Sequence, residues 1–191
     1  MGTLVMAGQD LAAGTGPGQL NQYYGFADTS QTTFTSATQG ALCSAYTIPA
    51  GEAYAGSSYE MRCSGFGAQG STQQTLQFQM FLGSAFGTIP TLGAVVLSAS
   101  QAFAYSLVMT LTCADGINAW WGDLLGAVVE TSANLIPGTG GQQPVPIAAS
   151  SLSAHTAAVS SAQTAVIQVK WGSATGAPTI TNNKTNWRKI A

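Results

Sequence analysis

The segment that decides the fold is Leu76-Gln77-Phe78-Gln79-Met80-Phe81-Leu82, in which apolar side chains alternate with mostly polar ones. Successive side chains of a β-strand point to opposite faces, so this alternation predicts a strand with one buried face. The same period of two recurs in residues 59–63, 107–113 and 165–171. The chain is therefore predicted to be built from β-strands.

Further strands are predicted at 42–48, 120–129 and 179–190, and the total is eight or nine. The 23 Gly and 7 Pro residues separate these segments, and helix signals are nearly absent. No repeat of about 20 to 50 residues is visible, which disfavours propellers and solenoids. We expect an all-β fold, namely an antiparallel double-sheet, jelly-roll-like β-sandwich with an extended N-terminal arm.

Gly, Pro and Asp mark the predicted turns. Pro49-Ala50-Gly51 ends the first strand, and Asp115-Gly116 follows the strand at 107–113. The stretch 65–73 is rich in Gly and Ser. It is predicted to join the strands on either side of it as a hairpin or its longer-looped equivalent.

The domain organisation follows from length and from the N-terminal composition. A chain of 191 residues is long enough for one well-buried core. Residues 1–22 hold a short apolar stretch and then Gly14-Thr15-Gly16-Pro17-Gly18, which predicts an arm and linker before a single domain at 23–191. Such an arm reaches a neighbouring subunit or is a frayed terminus. Residues 134–146 are predicted to form an exposed loop.

Charged residues are scarce, which excludes several kinds of partner. Only 6% of the chain is charged, with 5 Lys and Arg against 7 Asp and Glu, where about 25% is usual. So few cations exclude nucleic acid as a partner. No apolar run approaches the roughly 20 residues of a membrane span, so no membrane partner is expected. The N-terminus lacks a basic region, and we expect synthesis and assembly in a cytoplasm.

The sequence offers little for catalysis. The one histidine, His155, lies beside several serines and is interpreted as a surface-loop residue rather than as part of a catalytic triad. Two carboxylate pairs, Glu52 with Glu60 and Asp115 with Asp123, are the candidates for a glycosidase. Neither is favoured, because turn-placed acids are usually solvated, so the protein is not expected to be an enzyme.

The three cysteines show no metal-ligand spacing. Cys43, Cys63 and Cys113 are interpreted as buried thiols, with a disulfide or a reactive thiol as the alternatives. Clusters of oxygen or His/Cys ligands are also missing from the sequence. We therefore expect no cofactor and no metal.

Contact with other proteins is the remaining possibility. Four of the five cations lie in the last 22 residues, where they dock on an acidic neighbour or protect a sheet edge. The four Trp residues, 120, 121, 171 and 187, are core or interface anchors, or else sugar-stacking platforms. A surface poor in charge indicates a protein that is densely packed in an assembly or whose exterior is exposed to harsh conditions. The candidate interface residues are Leu4, Val5, Met6, Lys184, Trp187, Arg188 and Lys189.

Four stretches resemble a known family. They are Tyr46-Thr47-Ile48-Pro49-Ala50-Gly51, the strand that ends near Cys63-Ser64-Gly65, the strand at 74–83 that ends in Leu82-Gly83, and 166–181 with its Trp171-Gly172. Over about residues 40–190 the chain resembles the jelly-roll structural proteins of tailed-bacteriophage virions, which share a T-I-P-A-G turn and a V-x-W-G closing hairpin. It departs from them at Ala177-Pro178 and in the loop at 134–146.

The resemblance implies a non-enzymatic virion protein. Its leading form is a capsid decoration or minor capsid protein on the particle surface, assembled in the host cytoplasm. The implied partners are the major capsid protein lattice and other copies of the chain, as a homo-oligomer and commonly a trimer. The alternative is a tail-tip or fibre domain that binds host-surface glycan.

Overall fold

The computed structural model describes residues 25–86, 95–97, 99–131, 144–151 and 153–191, and these contain strands and no helix. The predicted arm at 1–22 and the loop up to residue 143 lie outside the described residues. The strands are β1 (Gly25–Asp28), β2 (Thr32–Phe34), β3 (Gly40–Ala41), β4 (Tyr46–Ile48), β5 (Ser58–Ala68), β6 (Gln74–Leu82), β7 (Ser84–Ala85), β8 (Val95–Leu97), β9 (Ala102–Cys113), β10 (Ala119–Thr131), β11 (Val145–Ser150), β12 (His155–Thr156), β13 (Gln163–Trp171) and β14 (Thr179–Lys189).

The strands form two antiparallel sheets with jelly-roll connectivity. Sheet A has the order β1-β14-β5-β9-β10-β11, with β2 also on β14 and β12 on β10. Sheet B has the order β3-β13-β6-β7, with β4 also on β13 and β8 on β6. The last two strands thus insert between early and middle strands, one in each sheet, as in a jelly roll. The predicted fold class is confirmed, and the β10–β11 hairpin extends sheet A at one edge.

The predicted alternation decides which side chains fill the space between the sheets. Every second residue of β6 and of β9 is buried, including Phe78 and Tyr105. These two rings lie 6.3 Å apart across the core, and Phe103 meets Trp171 edge-on at 6.0 Å. Each pair joins a strand of sheet A to one of sheet B, so the two sheets share one hydrophobic core.

The predicted hairpin between residues 59–63 and 76–82 is wrong. These segments lie in β5 and β6, which belong to different sheets: β5 pairs with β9 and β14, and β6 pairs with β13. The strand β5 also continues to Ala68, so only residues 69–73 connect the two. Both strands bury an apolar face, and facing each other across the core buries both. The closing hairpin implied by the resemblance is likewise a crossover, from β13 in sheet B to β14 in sheet A.

One other predicted strand is shorter than expected, and one predicted turn is as expected. Of the strand predicted at 42–48, only 46–48 is a strand, β4; β3 at 40–41 precedes the predicted segment, both pair with β13, and Leu42 and Cys43 between them are buried. The turn at Asp115-Gly116 is confirmed. Its Asp115 carboxylate accepts backbone N–H groups of three following residues at 2.8–2.9 Å, and Gly116 has a φ of +70°, which favours glycine.

We expect Gly65→Ala to lower the free energy of unfolding by about 1–3 kcal/mol, the usual range for overpacking. A Cβ at Gly65 would overlap the carbonyl oxygen of Thr181 and lie 2.9 Å from the Tyr105 hydroxyl. Urea unfolding of Gly65→Ala and of Ser64→Ala, whose side chain points outward, measures the difference. Equal stabilities of the two variants would contradict the close approach of β5 and β14.

Candidate interaction surface

The outer face of sheet A is the candidate functional surface. Directly paired residues of an antiparallel sheet point to the same side, so the strand register defines the rows of this face. Five neighbouring strands, β14, β5, β9, β10 and β11, form the middle of this face, and β1 and β2 adjoin it beyond β14. One row is Arg188, Glu60, Thr110, Asp123 and Ser150, and the next is Asn186, Arg62, Val108, Leu125 and Ala148.

Strand β10 sends two large apolar side chains outward onto this face. Trp121 is 44% exposed and Leu125 is 54% exposed, whereas their neighbours Trp120 and Leu124 are fully buried. The Trp120 indole N–H donates to the carbonyl of Ala157 at 2.8 Å. The Trp120-Trp121 pair therefore divides between core and surface, as alternation along a strand requires. Trp171 and Trp187 are also buried, which assigns three of the four tryptophans to the core.

A charged cluster lies on β5 and β14, which are two and three strands away from the Trp121 strand β10. The Glu60 carboxylate accepts from the Arg62 Nε at 2.8 Å and pairs with the Arg188 guanidinium at 2.7 Å. Burial opposes ionisation of Glu60, but hydrogen bonds and charge from both arginines outweigh it and lower the pKa of this carboxyl. Two cations around one anion leave the cluster with a net positive charge.

The face is consequently divided into two halves on either side of β9. The β14 and β5 half carries Arg188, Arg62 and the exposed Lys184 against the single acid Glu60. The β10 and β11 half carries Asp123, Trp121 and Leu125 among Ser, Ala and Pro residues. One half is basic, and the other is apolar with one exposed acid.

A β-bulge decides which C-terminal residues reach this face. The register between β14 and β5 shifts between Asn182 and Lys184, so one extra residue is accommodated there. A shift of one residue moves every later side chain to the opposite face. Lys184 and Arg188 therefore point outward, while Trp187 and Lys189 point inward.

The seven predicted interface residues fall into three groups: buried, exposed, and outside the described residues. Trp187, 2% exposed, stacks on Tyr46 at 5.2 Å. Lys189, 5% exposed, donates to the Glu52 carbonyl at 3.2 Å and lies 4.8 Å from the Tyr54 ring centre. Within the monomer these two side chains serve the fold and are not available to a partner, which corrects the prediction for them. Lys184 and Arg188 are exposed, and residues 4–6 lie outside the described residues.

The interpretation of His155 as a surface-loop residue is wrong, because its side chain is only 9% exposed. It lies in β12, paired with Trp120, where alternation turns it inward. One ring nitrogen, Nε2, is 2.8 Å from the carbonyl oxygen of Leu82, and the ring stacks on Phe86 at 4.1 Å. His155 thus connects β12, at the edge of sheet A, to sheet B. The hydrogen-bond partner of its ring is a backbone carbonyl, whereas a catalytic triad needs a serine and a carboxylate at the two ring nitrogens.

The two candidate carboxylate pairs are not brought together. Glu52 accepts the hydroxyl of Tyr59, an inward side chain, whereas Glu60 points outward on the next residue of the same strand. Asp115 caps the turn at Ala119, and Asp123 lies four residues further along β10. Four strand residues span about 13 Å, which exceeds the roughly 5–9.5 Å that glycosidases need.

The three cysteines are buried thiols, as predicted. A hydrogen bond with Cys43 and burial raise the pKa of Cys63, so the unreactive thiol form is favoured there. In the described ranges, no group of three or more His, Cys, Asp or Glu side chains lies in position to hold a metal ion. Nor does any helix among the described residues have the length and apolarity to span a membrane.

Comparison of the chain with protein-family models, with curated proteins and with solved structures gives no match.

The surface residues Glu60, Arg62 and Leu125 were not among the predicted interface residues. The alternation along residues 58–63 and 120–129 predicts that the side chains of Glu60, Arg62 and Leu125 point outward. It does not predict that β5 and β10 both pair with β9, which brings these residues to one face.

We expect the Glu60 cluster to stabilise the fold only above acidic pH. The folded-state pKa of Glu60 is lower than its unfolded value near 4.3, so its contribution is complete above that pH and disappears as the pH falls through the folded-state pKa. Glu60→Gln should lower the free energy of unfolding by up to about 1 kcal/mol at pH 7, and the difference should shrink below pH ~4. Urea unfolding across this range measures it.

Asp123→Asn is the matched control for Glu60→Gln, because Asp123 lies on the same face between Thr110 and Ser150 rather than between arginines. A loss for Glu60→Gln that persists unchanged at low pH would contradict the ion-pair explanation.

Proposed function

We propose that the protein is a non-enzymatic virion structural protein, a capsid decoration or minor capsid protein that binds and stabilises the assembled phage head. The observation that carries this proposal is the outer face of sheet A. It is broad and exposes Trp121, Leu125 and Phe66 among small polar residues. Large exposed apolar side chains rimmed by polar ones are typical of protein-binding surfaces.

The family resemblance supports the proposal at the level of the scaffold. The T-I-P-A-G stretch forms β4 and the turn after it, where Gly51 has a φ of +73°. The strand that ends at Leu82 is β6, and Trp171-Gly172 closes β13. The T-I-P-A-G stretch and the strand at 74–83 therefore belong to sheet B, where β13 pairs with β4 and β6. The stretch 166–181 begins in β13 and ends in β14 of sheet A, and the strand that ends near Gly65 is β5 of sheet A.

The composition supports a place in a packed assembly. A monomer usually keeps itself soluble with charged residues, whereas this chain has 6%. Small uncharged side chains lose little hydration when a neighbouring protein covers them. We propose the major capsid protein lattice as the partner, with residues 2–24 as the clamp and further copies of the chain, in a trimer, as neighbours on the virion surface.

The proposed mechanism is stabilisation by mass action. A protein that binds the assembled shell but not its dissociated subunits lowers the free energy of the shell. Many copies, each bound with modest affinity, add up to a large resistance against internal pressure. The chemistry that this requires is contact alone, without turnover.

Removal of residues 1–20 should abolish binding to assembled capsid shells and leave the sandwich folded. Co-sedimentation of the intact and the shortened chain with empty shells measures the binding, and circular dichroism checks the β-structure of both. Saturable binding of many intact copies per shell is the expected result. Equal binding by the shortened chain would refute the clamp, and no binding by either chain would refute the decoration role.

A second function, recognition of host-surface glycan from the tail tip or a fibre, is favoured by Trp121. Its half-exposed ring lies on the same face and on the same strand as Asp123. An aromatic face beside a carboxylate is suited to stacking on a sugar and accepting its hydroxyls. The other aromatic candidate, Trp120, is fully buried and therefore cannot stack on a sugar.

A glycan array separates the second function from the first. If the chain recognises glycan, the array should give hits, and Trp121→Ala should weaken them at least about tenfold because the stacking surface is lost. Tyr54→Ala, which removes another half-exposed ring from a different place, is the control. An array without hits at millimolar sensitivity would count against glycan recognition.

A further inference from the structure

We propose that the free edge of β11 pairs with β11 of a second copy of this chain, so that the two A sheets become one continuous sheet. The two-fold axis is perpendicular to the sheet and passes beside Ala148. The contact uses the edge of sheet A and not its outer face, so the inference goes beyond the proposed function and does not depend on it. Both outer faces point the same way in this pair, which leaves the proposed shell contact open to both copies.

Strand β11 is the least protected edge in the described part of the chain. It is the last strand of sheet A there, with β10 on one side and no strand on the other. It has six residues, none of them charged, whereas the other strands at a sheet edge have two to four residues. Short strands and charged side chains are the usual protection against edge-to-edge pairing. The only such device in β11 is Pro146, near one end of the strand.

The ladder with β10 identifies the free backbone groups of this edge. The Ser151 N–H donates to the Gly122 carbonyl at 2.7 Å, so the odd-numbered residues along β11 direct their N–H and C=O groups at β10. The even-numbered residues, Pro146, Ala148 and Ser150, direct theirs away from β10. Pro146 fits this pattern, because proline occurs in a sheet where its missing N–H would face solvent. The free edge therefore offers two N–H donors and three carbonyl acceptors.

These groups are complementary to themselves. Consider two antiparallel copies of β11 centred on Ala148. The Ala148 N–H of each copy donates to the Ala148 carbonyl of the other, and the Ser150 N–H of each donates to the Pro146 carbonyl of the other. Both free N–H groups of β11 are then used in each copy, and Pro146 has only to accept. Main-chain hydrogen bonds of this kind provide the affinity when one strand is added to the edge of a sheet.

The side chains select this register. Ala148 is exposed and lies opposite Leu125 of β10, which is 54% exposed. Across the junction the outer row consists of Leu125 and Ala148 of one copy, followed by Ala148 and Leu125 of the other, and it is apolar throughout. If the centre moved to Ala149, Ser150 and Asp123 of the second copy would enter this row instead. Apolar side chains gain more when they are covered by apolar neighbours.

The edge is accessible, and the contact is small. Val145 points inward beside the buried Val128 and is still 40% exposed, so sheet B leaves this end of β11 uncovered. Six residues at about 3.4 Å each span about 20 Å, and a sheet is about 10 Å thick, so the contact is of the order of 200 Å² per copy. Contacts of this size are weak. Pairing therefore requires a high local concentration, as between copies held side by side on one surface.

Amide exchange of the full chain, followed by NMR at about 20 μM and about 1 mM, tests the proposal at the concentrations that a weak contact requires. The Ala148 and Ser150 amides should exchange at least about threefold more slowly at the higher concentration, because pairing occupies their free N–H groups. Ile147 and Ala149 donate to β10 in either state. They are the internal control, and their exchange rates should not depend on concentration.

Charge variants at the axis identify the partner as a second copy. Ala148→Lys should remove the concentration dependence, because two lysines then meet across the junction. Ala148→Glu should do the same, and an equimolar mixture of the two variants should restore slow exchange at Ser150, since Lys then faces Glu. Ser106→Lys is the matched control. It adds the same charge to an exposed position of the same face, on β9, and should leave the dependence unchanged.

The outcomes are distinct, and circular dichroism checks that each variant is folded. Slow exchange at high concentration that both single variants abolish and their mixture restores supports the two-fold contact. Equal rates at both concentrations overturn it, as does a trimer that neither variant affects. Slow exchange in a chain that sediments as a monomer would mean that another segment of the same chain covers the edge. Exchange slowed only by added capsid shells would assign the edge to the shell lattice. Both of these results overturn the proposal. Failure of the shell co-sedimentation would refute the decoration role and leave this result unchanged.

Discussion

Each of the last two strands pairs with neighbours on both sides in the middle of one sheet, and the rest of the structure depends on this pairing. Strand β14 joins β1 and β2 to β5 in sheet A, and β13 joins β3 and β4 to β6 in sheet B. Tyr59 pairs with Lys189, 130 residues later in the chain. Such distant pairing costs loop-closure entropy, which the burial of both apolar faces in one core must offset.

The bulge in β14 shows how a local irregularity changes a surface. Asn182 precedes the register shift and is buried, and its side-chain amide donates to the Thr185 hydroxyl at 2.9 Å. The Tyr105 hydroxyl also lies within 3.4 Å of Asn182 Oδ1. This buried polar network holds the extra residue in place. Without the bulge, the alternation would turn Trp187 and Lys189 outward and Arg188 inward.

The few charges of the chain are concentrated where they affect contacts most. Three of its five cations and two of its seven acids lie on the outer face of sheet A. On an otherwise neutral surface, each charge is a large part of the local field, so orientation of a partner depends on a few residues. A jelly roll by itself specifies no function, so a function depends on the residues of a particular surface such as this one.

The sequence by itself determined the long strands β5, β6, β9, β10, β13 and β14, their buried faces and the all-β class, because alternation is a local property of a strand with one buried face. It also determined the scarcity of charge and the buried state of the cysteines. The tertiary structure decided which strands pair: 59–63 and 76–82 face each other across the core instead of forming a hairpin, since pairing depends on partners more than a hundred residues away. It also decided that Arg188 lies on the surface and Lys189 in the core, because a single extra residue in β14 reverses the alternation.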